Sequence, residues 1–395
     1  MKILLVNHLL DPVSGGGTAE RTLQMARFLA AEGAGCTLLT LDIDGTGSAG
    51  RLPSANGVRV VAVPCLNRRF FVPWLSYRKL KALVDDADVV YLSGHWTILN
   101  ALVFGVCRRL GKPYLFCPAG ALKPFGRSRA LKWFYTKLVG RRLARSAAAC
   151  IAVTDSERSD FAECGVPPDH VVVVPNGIDP DEYVLADEAS EVAGFRQRLG
   201  IDDARFILFL GRLNPIKGPD LLLEAFSHLS PSARDVHLVL AGPDGGMRAL
   251  LEQSAAAFGL NGRVHFTGYV GGFEKVAALH AATVLAIPSR REAMSIVVLE
   301  GGICGCPVVF TDTCGLDAIS RENAGVMVPV SVAAIAEALE NLLQSPEELR
   351  RSGERLQRIV RQHYLWRSQA RRLLTLAEQV ISHHVQTKAG NSVDR

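Results

Sequence analysis

Two series of short, almost purely aliphatic runs decide what this chain can fold into. The first is KILLVN, CTLLTL, VRVVAV, DVVYLS, PYLFC, CIAVT and VVVVP, all before residue 176. The second begins at FILFLG (206–211) and continues with VHLVLAG, RVHFTG, TVLAIP and PVVFTD. A strand with one wet face alternates apolar and polar residues. Runs of Val, Ile and Leu without alternation are buried on both faces, as in parallel sheets covered by helices. Segments of helical spacing, such as 18–32 and 96–110, separate the runs. Between the two series lies a turn-rich and then polar break at 176–205, NGIDPDEY followed by ADEASEVAGFRQRLGIDD. The reading is α/β: two doubly wound Rossmann-like domains, 1–185 and 200–365, facing across a cleft. Ligands of such sheets bind outside the carboxyl ends of the strands.

With 395 residues the chain can bury two cores. Its 48% apolar and 21% charged residues exclude disorder. No run approaches the ~18 apolar residues of a membrane span. The start, MKILLVNHLLDP, has one lysine, a short apolar stretch and no small-residue cleavage site, so it reads as a first strand rather than a signal peptide. The nine cysteines are scattered without a CxxC pair, which points to reduced thiols and a cytoplasmic setting rather than disulfides or zinc. The net charge of +5 is uneven: residues 1–185 hold 22 Lys and Arg against 16 Asp and Glu. The excess concentrates at 121–149, with eight basic residues and no acidic one, among them Phe125, Trp133, Phe134 and Tyr135. Such a stretch suits an anionic partner. A membrane surface fits it, either as peripheral attachment to the inner face of the plasma membrane or not at all, if the aromatic residues are core and the cations merely solvated. No nucleic-acid partner is expected.

Three motifs follow strands. Gly15-Gly16-Gly17 comes after the first strand and before a helix beginning near Thr18. It is either an anion-approaching glycine loop or a flexible turn, and it is neither GxGxxG nor a P-loop. GRLNPIKG (211–218) places Arg212 and Lys217 across a turn, where they converge on one phosphate or stand as two solvated cations. In IPSRREAMSIVVLEGGICGCPVVF (287–310), Glu292 sits on a loop and Glu300 on a helix starting near Ser295. The amides of 293–296 then face an anion at a helix N-terminus. Glu292 can take sugar hydroxyls and Glu300 a pair of ribose hydroxyls; the alternative is capping and surface acids. Gly301, Gly302 and Gly305 in one short helix suggest that something approaches closely.

Taken together, GRLNPIKG, HFTGYV and PSRREAMSIVVLEGGICGCPVV resemble the donor domain of family-4 retaining glycosyltransferases (glycosyltransferase group 1, GT-B fold). VTDSE, VVVVPNGID, AGPDG and HYLW extend the resemblance over nearly the whole chain. It implies a nucleotide-sugar donor, no metal or other cofactor, retention at the anomeric carbon, and a C-terminal helix (366–390) packed back on the first domain. Arg212 and Lys217 match the diphosphate clamp, and Glu292 the group holding the donor sugar. Ala293, Met294, Ser295 and Ile296 match the backbone over sugar and phosphate, and Glu300 the ribose ligand. Gly16 and Gly17 match the glycine loop that approaches the donor phosphates from the other domain. Gly268, Tyr269 and Val270 lie where the family contacts the nucleobase.

Two departures stand out. The frequent Glu-Gly-Phe-Gly is here Glu292-Ala293-Met294-Ser295, and the usual His or Arg of a P-H/R-G motif is Ala119 in CPAG. His95 in SGHW is the candidate to stand in for that missing group; otherwise it is a buried ring. His8, after the first strand, is a weaker candidate. Asp42-Ile43-Asp44 and Asp86-Ala87-Asp88 match DxD metal motifs by pattern, but they flank ordinary strands and read as structural. The expected function is sugar transfer from a nucleotide sugar to a glycan or lipid-linked acceptor, in cell-surface polysaccharide biosynthesis. The alternatives are a nucleotide-sugar epimerase and a non-catalytic nucleotide-sugar-binding protein of the same fold.

Overall fold

Each aliphatic run forms a strand in the computed structural model, which describes residues 1–43, 57–123, 128–230 and 233–393. Asp44 and Phe125 lie outside the described residues. The chain divides into two units, Met1–Gly177 with the helix from Trp366 onward, and Ile178–Leu365.

In the first unit the strands are β1 (Lys2–Val6), β2 (Gly35–Asp42), β3 (Val58–Asn67), β4 (Val72–Pro73), β5 (Val89–Ser93), β6 (Tyr114–Cys117), β7 (Ala149–Ala152) and β8 (Val171–Val173). Their order is β4-β3-β2-β1-β5-β6-β7-β8. All neighbours are parallel except β3 and β4. The covering helices are α1 (Pro12–Ala31), α2 (Tyr77–Asp86), α3 (Ile98–Leu110), α4 (Arg129–Tyr135), α5 (Arg141–Arg145) and α6 (Glu157–Glu163), with a π-helical turn, Thr136–Gly140, joining α4 to α5. Because β1 lies between β2 and β5, the chain reverses its winding there, and the carboxyl ends of β1 and β5 border this unit's crevice.

The second unit holds β9 (Phe206–Leu210), β10 (His237–Ala241), β11 (Val264–Gly268), β12 (Val284–Ile287), β13 (Val308–Thr311) and β14 (Val326–Val328) in the order β11-β10-β9-β12-β13-β14, all parallel. Its helices are α7 (Glu188–Leu199), α8 (Pro219–Ser227), α9 (Arg248–Ala257), α10 (Gly272–Ala281), α11 (Ile296–Ile303), α12 (Asp317–Arg321), α13 (Val332–Leu343) and α14 (Pro346–His363). Here the winding reverses between β9 and β12, which pair through Val284–Ile207 and Leu285–Leu208.

The boundary between the units lies at Gly177 and Ile178, inside the 176–205 break and ahead of the expected domain ends at 185 and 200. Residues 178–199 belong to the second unit, because Tyr183 and Phe195 are buried in it and Arg196 donates to the Ala281 carbonyl at 2.7 Å. The last helix, α15 (Trp366–Val393), rejoins the first unit. Trp366, Ala370, Leu373 and Ala377 form its buried stripe at helical spacing. Arg371 pairs with Glu32, just past the end of α1, at 2.8 Å. A side chain at Gly177 would meet Trp366, so glycine there admits the returning helix. The sequence patterning missed β4 and β14, which are two and three residues long and too short to show a period. The pair Asp86 and Asp88 is occupied with Lys2: Asp86 with its ammonium at 2.6 Å, Asp88 with its backbone amide at 2.7 Å.

Candidate functional site

The reversal point between β9 and β12 sets two loops side by side. After β9 runs 211–218, and after β12 runs 288–295. They are stitched together by the Arg290 amide on the Ile216 carbonyl (2.7 Å) and by the Arg290 guanidinium on the Pro215 carbonyl (2.8 Å) and both Asp220 oxygens (2.8 and 2.6 Å). Gly218, at φ 69°, closes the first loop; a Cβ there would lie 2.1 Å from the Pro288 carbonyl oxygen. The Asn214 side chain accepts from the Lys217 amide at 3.0 Å, and the Leu213 amide donates to Pro243 at 3.0 Å, which ties the loop to the AGPDG turn after β10. In that turn Asp244 accepts from the amides of Gly246, Met247 and Arg248 and so opens α9.

On this frame Lys217 Nζ lies 3.0 Å from Glu292 Oε1, and Ser289 Oγ donates to the same oxygen at 2.6 Å. Glu292 is nearly buried, with 10% of its side chain exposed. Its amide donates to the Thr313 carbonyl, and the Ser295 amide to the Cys314 carbonyl, each at 3.0 Å, so the loop is held from the β13 side as well. Arg212 stands in the same loop as Lys217, its side chain running over Gly245. Ala293, Met294, Ser295 and Ile296 form the entry to α11, with Met294 and Ser295 buried. Ser295 is the N-cap residue, but its hydroxyl does not cap the helix and has no partner although it is fully buried. An unpaired buried hydroxyl, the start of α11 and the Lys217 ammonium therefore stand at one strand junction, with Arg212 in the same loop as the lysine, an arrangement suited to a polyanion.

Glu300 lies further along α11, 8% exposed. One of its oxygens accepts from Tyr183 OH and Lys275 Nζ, both at 2.7 Å, and Lys275 Nζ is 3.1 Å from Tyr183 OH. The sequence reading found Glu300 but neither partner. Tyr183 is 117 residues away from it, and Lys275 reads as an ordinary cation near the start of α10. With both donors on one oxygen, the carboxylate is held in one orientation. Lys275→Met is expected to raise the KM for donor about three- to tenfold with little change in kcat, and Lys275→Arg to restore part of the loss. Equal steady-state constants for Lys275→Met and the wild type would remove Lys275 from the site.

Gly268 ends β11 and Tyr269 and Val270 follow it, two strands from β9 and so roughly 10 Å across the sheet. Val270 is buried, whereas the Tyr269 ring is 63% exposed beside Gly271. The glycines of α11 have another cause than the one expected. Side chains at Gly301 and Gly302 would run into Leu285 and Val308, and into Val360 and Leu356. The close approach there is that of the unit's own core.

Gly16, Gly17 and His95 belong to the first unit. Gly16 breaks α1 with φ 58° and ψ −148°, a conformation essentially confined to glycine, and Gly17 is exposed. His95, after β5, is 5% exposed between Trp96, Phe116 and Tyr135, with Nε2 3.4 Å from Thr136 Oγ1. Burial pushes its pKa down to about 3, so the ring is neutral near pH 7 and does not supply the positive charge missing at Ala119. His8 stands edge-on to Phe71 and is likewise pushed down by burial, to about 4. Ala119 itself has φ 49°, and the turn it forms is pinned by Gly120 donating to Glu157 of VTDSE, which also takes the Val153 amide at 2.6 Å.

Comparison with known proteins agrees with the geometry. Residues 15–182 match the profile of Glycosyltransferase Family 4, and residues 193–358 that of Glycosyl transferases group 1. An uncharacterized glycosyltransferase of Methanocaldococcus jannaschii is 30% identical over 361 residues, 87% of this chain and 89% of that protein. A D-inositol 3-phosphate glycosyltransferase of Frankia alni is 28% identical over 387 residues, 89% and 88% of the two chains. The Anabaena protein HepE, crystallised with UDP and glucose, shares the fold at a TM-score of 0.77 and 20% identity, over 96% of this chain and 100% of that one. The chain thus belongs to glycosyltransferase family 4, group 1, and is a nucleotide-sugar-dependent glycosyltransferase built from the two Rossmann-like domains of the GT-B fold.

Proposed function

We propose that this enzyme moves a sugar from a nucleotide sugar to a glycan or lipid-linked acceptor with retention of anomeric configuration and without a metal ion, in the assembly of a cell-surface polysaccharide. The observation that carries the reading is Lys217 on Glu292 beside the start of α11 at the β9–β12 reversal, with Arg212 in the same loop as the lysine and Glu300 oriented further along the same helix. The diphosphate lies against the two cations and the α11 amides, with Ser295 Oγ as a further donor. As the bond to the anomeric carbon breaks, these groups stabilise the charge growing on the leaving phosphate. That phosphate accepts the acceptor's proton, so no side-chain base is required. Glu292 holds hydroxyls of the transferred sugar, and Glu300 those of the ribose. The UDP and glucose bound by HepE make a UDP-sugar the first donor to try.

The charge that a metal would supply is supplied here by Arg212, Lys217 and the helix amides. Activity is therefore expected to survive excess chelator, and the product to keep the donor's anomeric configuration. The check is a screen of UDP-, GDP- and ADP-sugars with glycan and lipid-linked acceptors, followed by NMR of the product. Loss of turnover on chelation, restored by Mg²⁺, overturns the metal-free reading; an inverted product overturns retention.

Attachment to the inner face of the plasma membrane is the part of this reading that concerns the acceptor. It is supported by α4, the π-helical turn and α5. Leu131, Trp133, Phe134 and Leu138 are at least half exposed, and Arg141 and Arg142 are exposed beside them, whereas Tyr135 is tied down by its hydroxyl on the Thr97 carbonyl at 3.1 Å. Arg145 is taken up by the Cys164 carbonyl at 2.8 Å. Among the described residues no helix is long and apolar enough to cross a membrane.

A further inference from the structure

A second feature of the first unit has no part in sugar transfer. Between α2 and α3 runs a groove of about 540 Å³, floored by Leu80 and Phe104, flanked by Leu102 and Tyr77, and ending at Arg108 and Arg109. The floor residues are 3% and 6% exposed, while Leu102 and Tyr77 are 43% and 50% exposed. Each arginine lies over a ring, Arg109 over Tyr77 at 5.6 Å and Arg108 over Phe104 at 5.9 Å. Among the described residues neither forms an ion pair. Gly105 lies inside α3 at the groove wall, and a Cβ there would meet nothing within 4 Å. A glycine inside a helix weakens it relative to alanine, and here it leaves the groove open.

The groove continues the exposed strip of α4. Trp96 Nε1 donates to Thr136 Oγ1 at 3.0 Å and Lys132 stands over the Trp96 ring at 4.5 Å, so α4 sits at the start of α3. From there the outward stripe of α3 runs Ile98, Leu102, Gly105, Arg109. Between Asp88 and Asp155 the chain has no acidic residue and eleven Lys and Arg. An apolar trough that ends in two guanidinium groups, neither of them in an ion pair among the described residues, is complementary to a molecule with a hydrocarbon tail and an anionic head. We propose that the α2–α3 groove binds one anionic phospholipid of the membrane, its acyl chain along Leu80, Leu102 and Phe104 and its phosphate on Arg108 and Arg109. This rests on the membrane reading above and gives it a second, specific point of attachment.

The test uses the full-length protein with vesicles of phosphatidylglycerol and phosphatidylcholine, the former carrying a photoactivatable group on its acyl chain. Crosslinks are expected at 75–80 and 101–109. Gly105→Phe, which fills the groove, should lower them at least fivefold. Arg108→Gln with Arg109→Gln should weaken vesicle binding about ten- to thirtyfold, at ~1 kcal/mol for each charge. Circular dichroism and melting curves check both variants, and the arginine pair carries the test should Gly105→Phe not fold. Salt-sensitive binding with crosslinks confined to α4 and α5 overturns the groove proposal and leaves the membrane reading standing. Equal recovery in the supernatant with anionic and neutral vesicles overturns both. Full competition by millimolar inorganic phosphate shows a simple anion site and overturns the lipid assignment.

Discussion

Lys217→Ala is expected to lower kcat/KM ten- to over a hundredfold. The lysine reaches the carboxylate of the loop after β12, at 3.0 Å from Glu292, and the loop bearing it is fixed on three sides by Arg290, Asn214 and the turn after β10. Its ammonium is therefore already placed when a diphosphate enters, and transferring it from Glu292 to phosphate requires only a side-chain movement. A charge-assisted contact of this kind contributes about 1.5–3 kcal/mol, and more as charge builds on the leaving group. The substitution also takes a charged partner from Glu292, which keeps Ser289, so a melting curve must accompany the kinetics. A folded variant with undiminished kcat/KM would place the donor phosphates elsewhere.

Glu292→Gln is expected to act on kcat, by about ten- to a hundredfold, and to leave binding of the free nucleotide diphosphate within roughly threefold of wild type. One Glu292 oxygen is engaged by Lys217 and Ser289. The amide keeps the shape of the group but loses the charge that orders the sugar hydroxyls and opposes the cationic character of the reacting ring. Glu300→Gln should divide the other way, raising KM and weakening the free nucleotide. Equal losses of nucleotide affinity in the two variants would merge the roles proposed for them.

Much of this was legible from local pattern. Unalternating aliphatic runs gave the parallel strands, and a motif after a strand became a loop at its carboxyl end. Pairing of β9 with β12 brought Lys217 to Glu292 across 75 residues. What remained hidden depends on distant contacts. The break at 176–205 is polar and turn-rich, yet it packs into the second unit through Tyr183 and Phe195, two apolar contacts too sparse to form a period. For the same reason the Tyr183–Lys275–Glu300 cluster could not be read. The glycines of α11 carry no label saying whether a ligand or a core side chain approaches them, and the packing of Leu285, Val308, Leu356 and Val360 decides it. His95 follows a strand as an active-site histidine would, and only its aromatic surroundings show that it stays neutral.

The central claim is that a nucleoside diphosphate is held where β9 and β12 diverge. Calorimetric titration of UDP, GDP and ADP into the wild type, Lys217→Ala and Glu300→Gln tests it directly. The account predicts saturable binding of at least one of the three to the wild type, weakened about tenfold or more in both variants while their melting curves in the absence of nucleotide remain those of a folded protein. Undiminished affinity in both variants would contradict it.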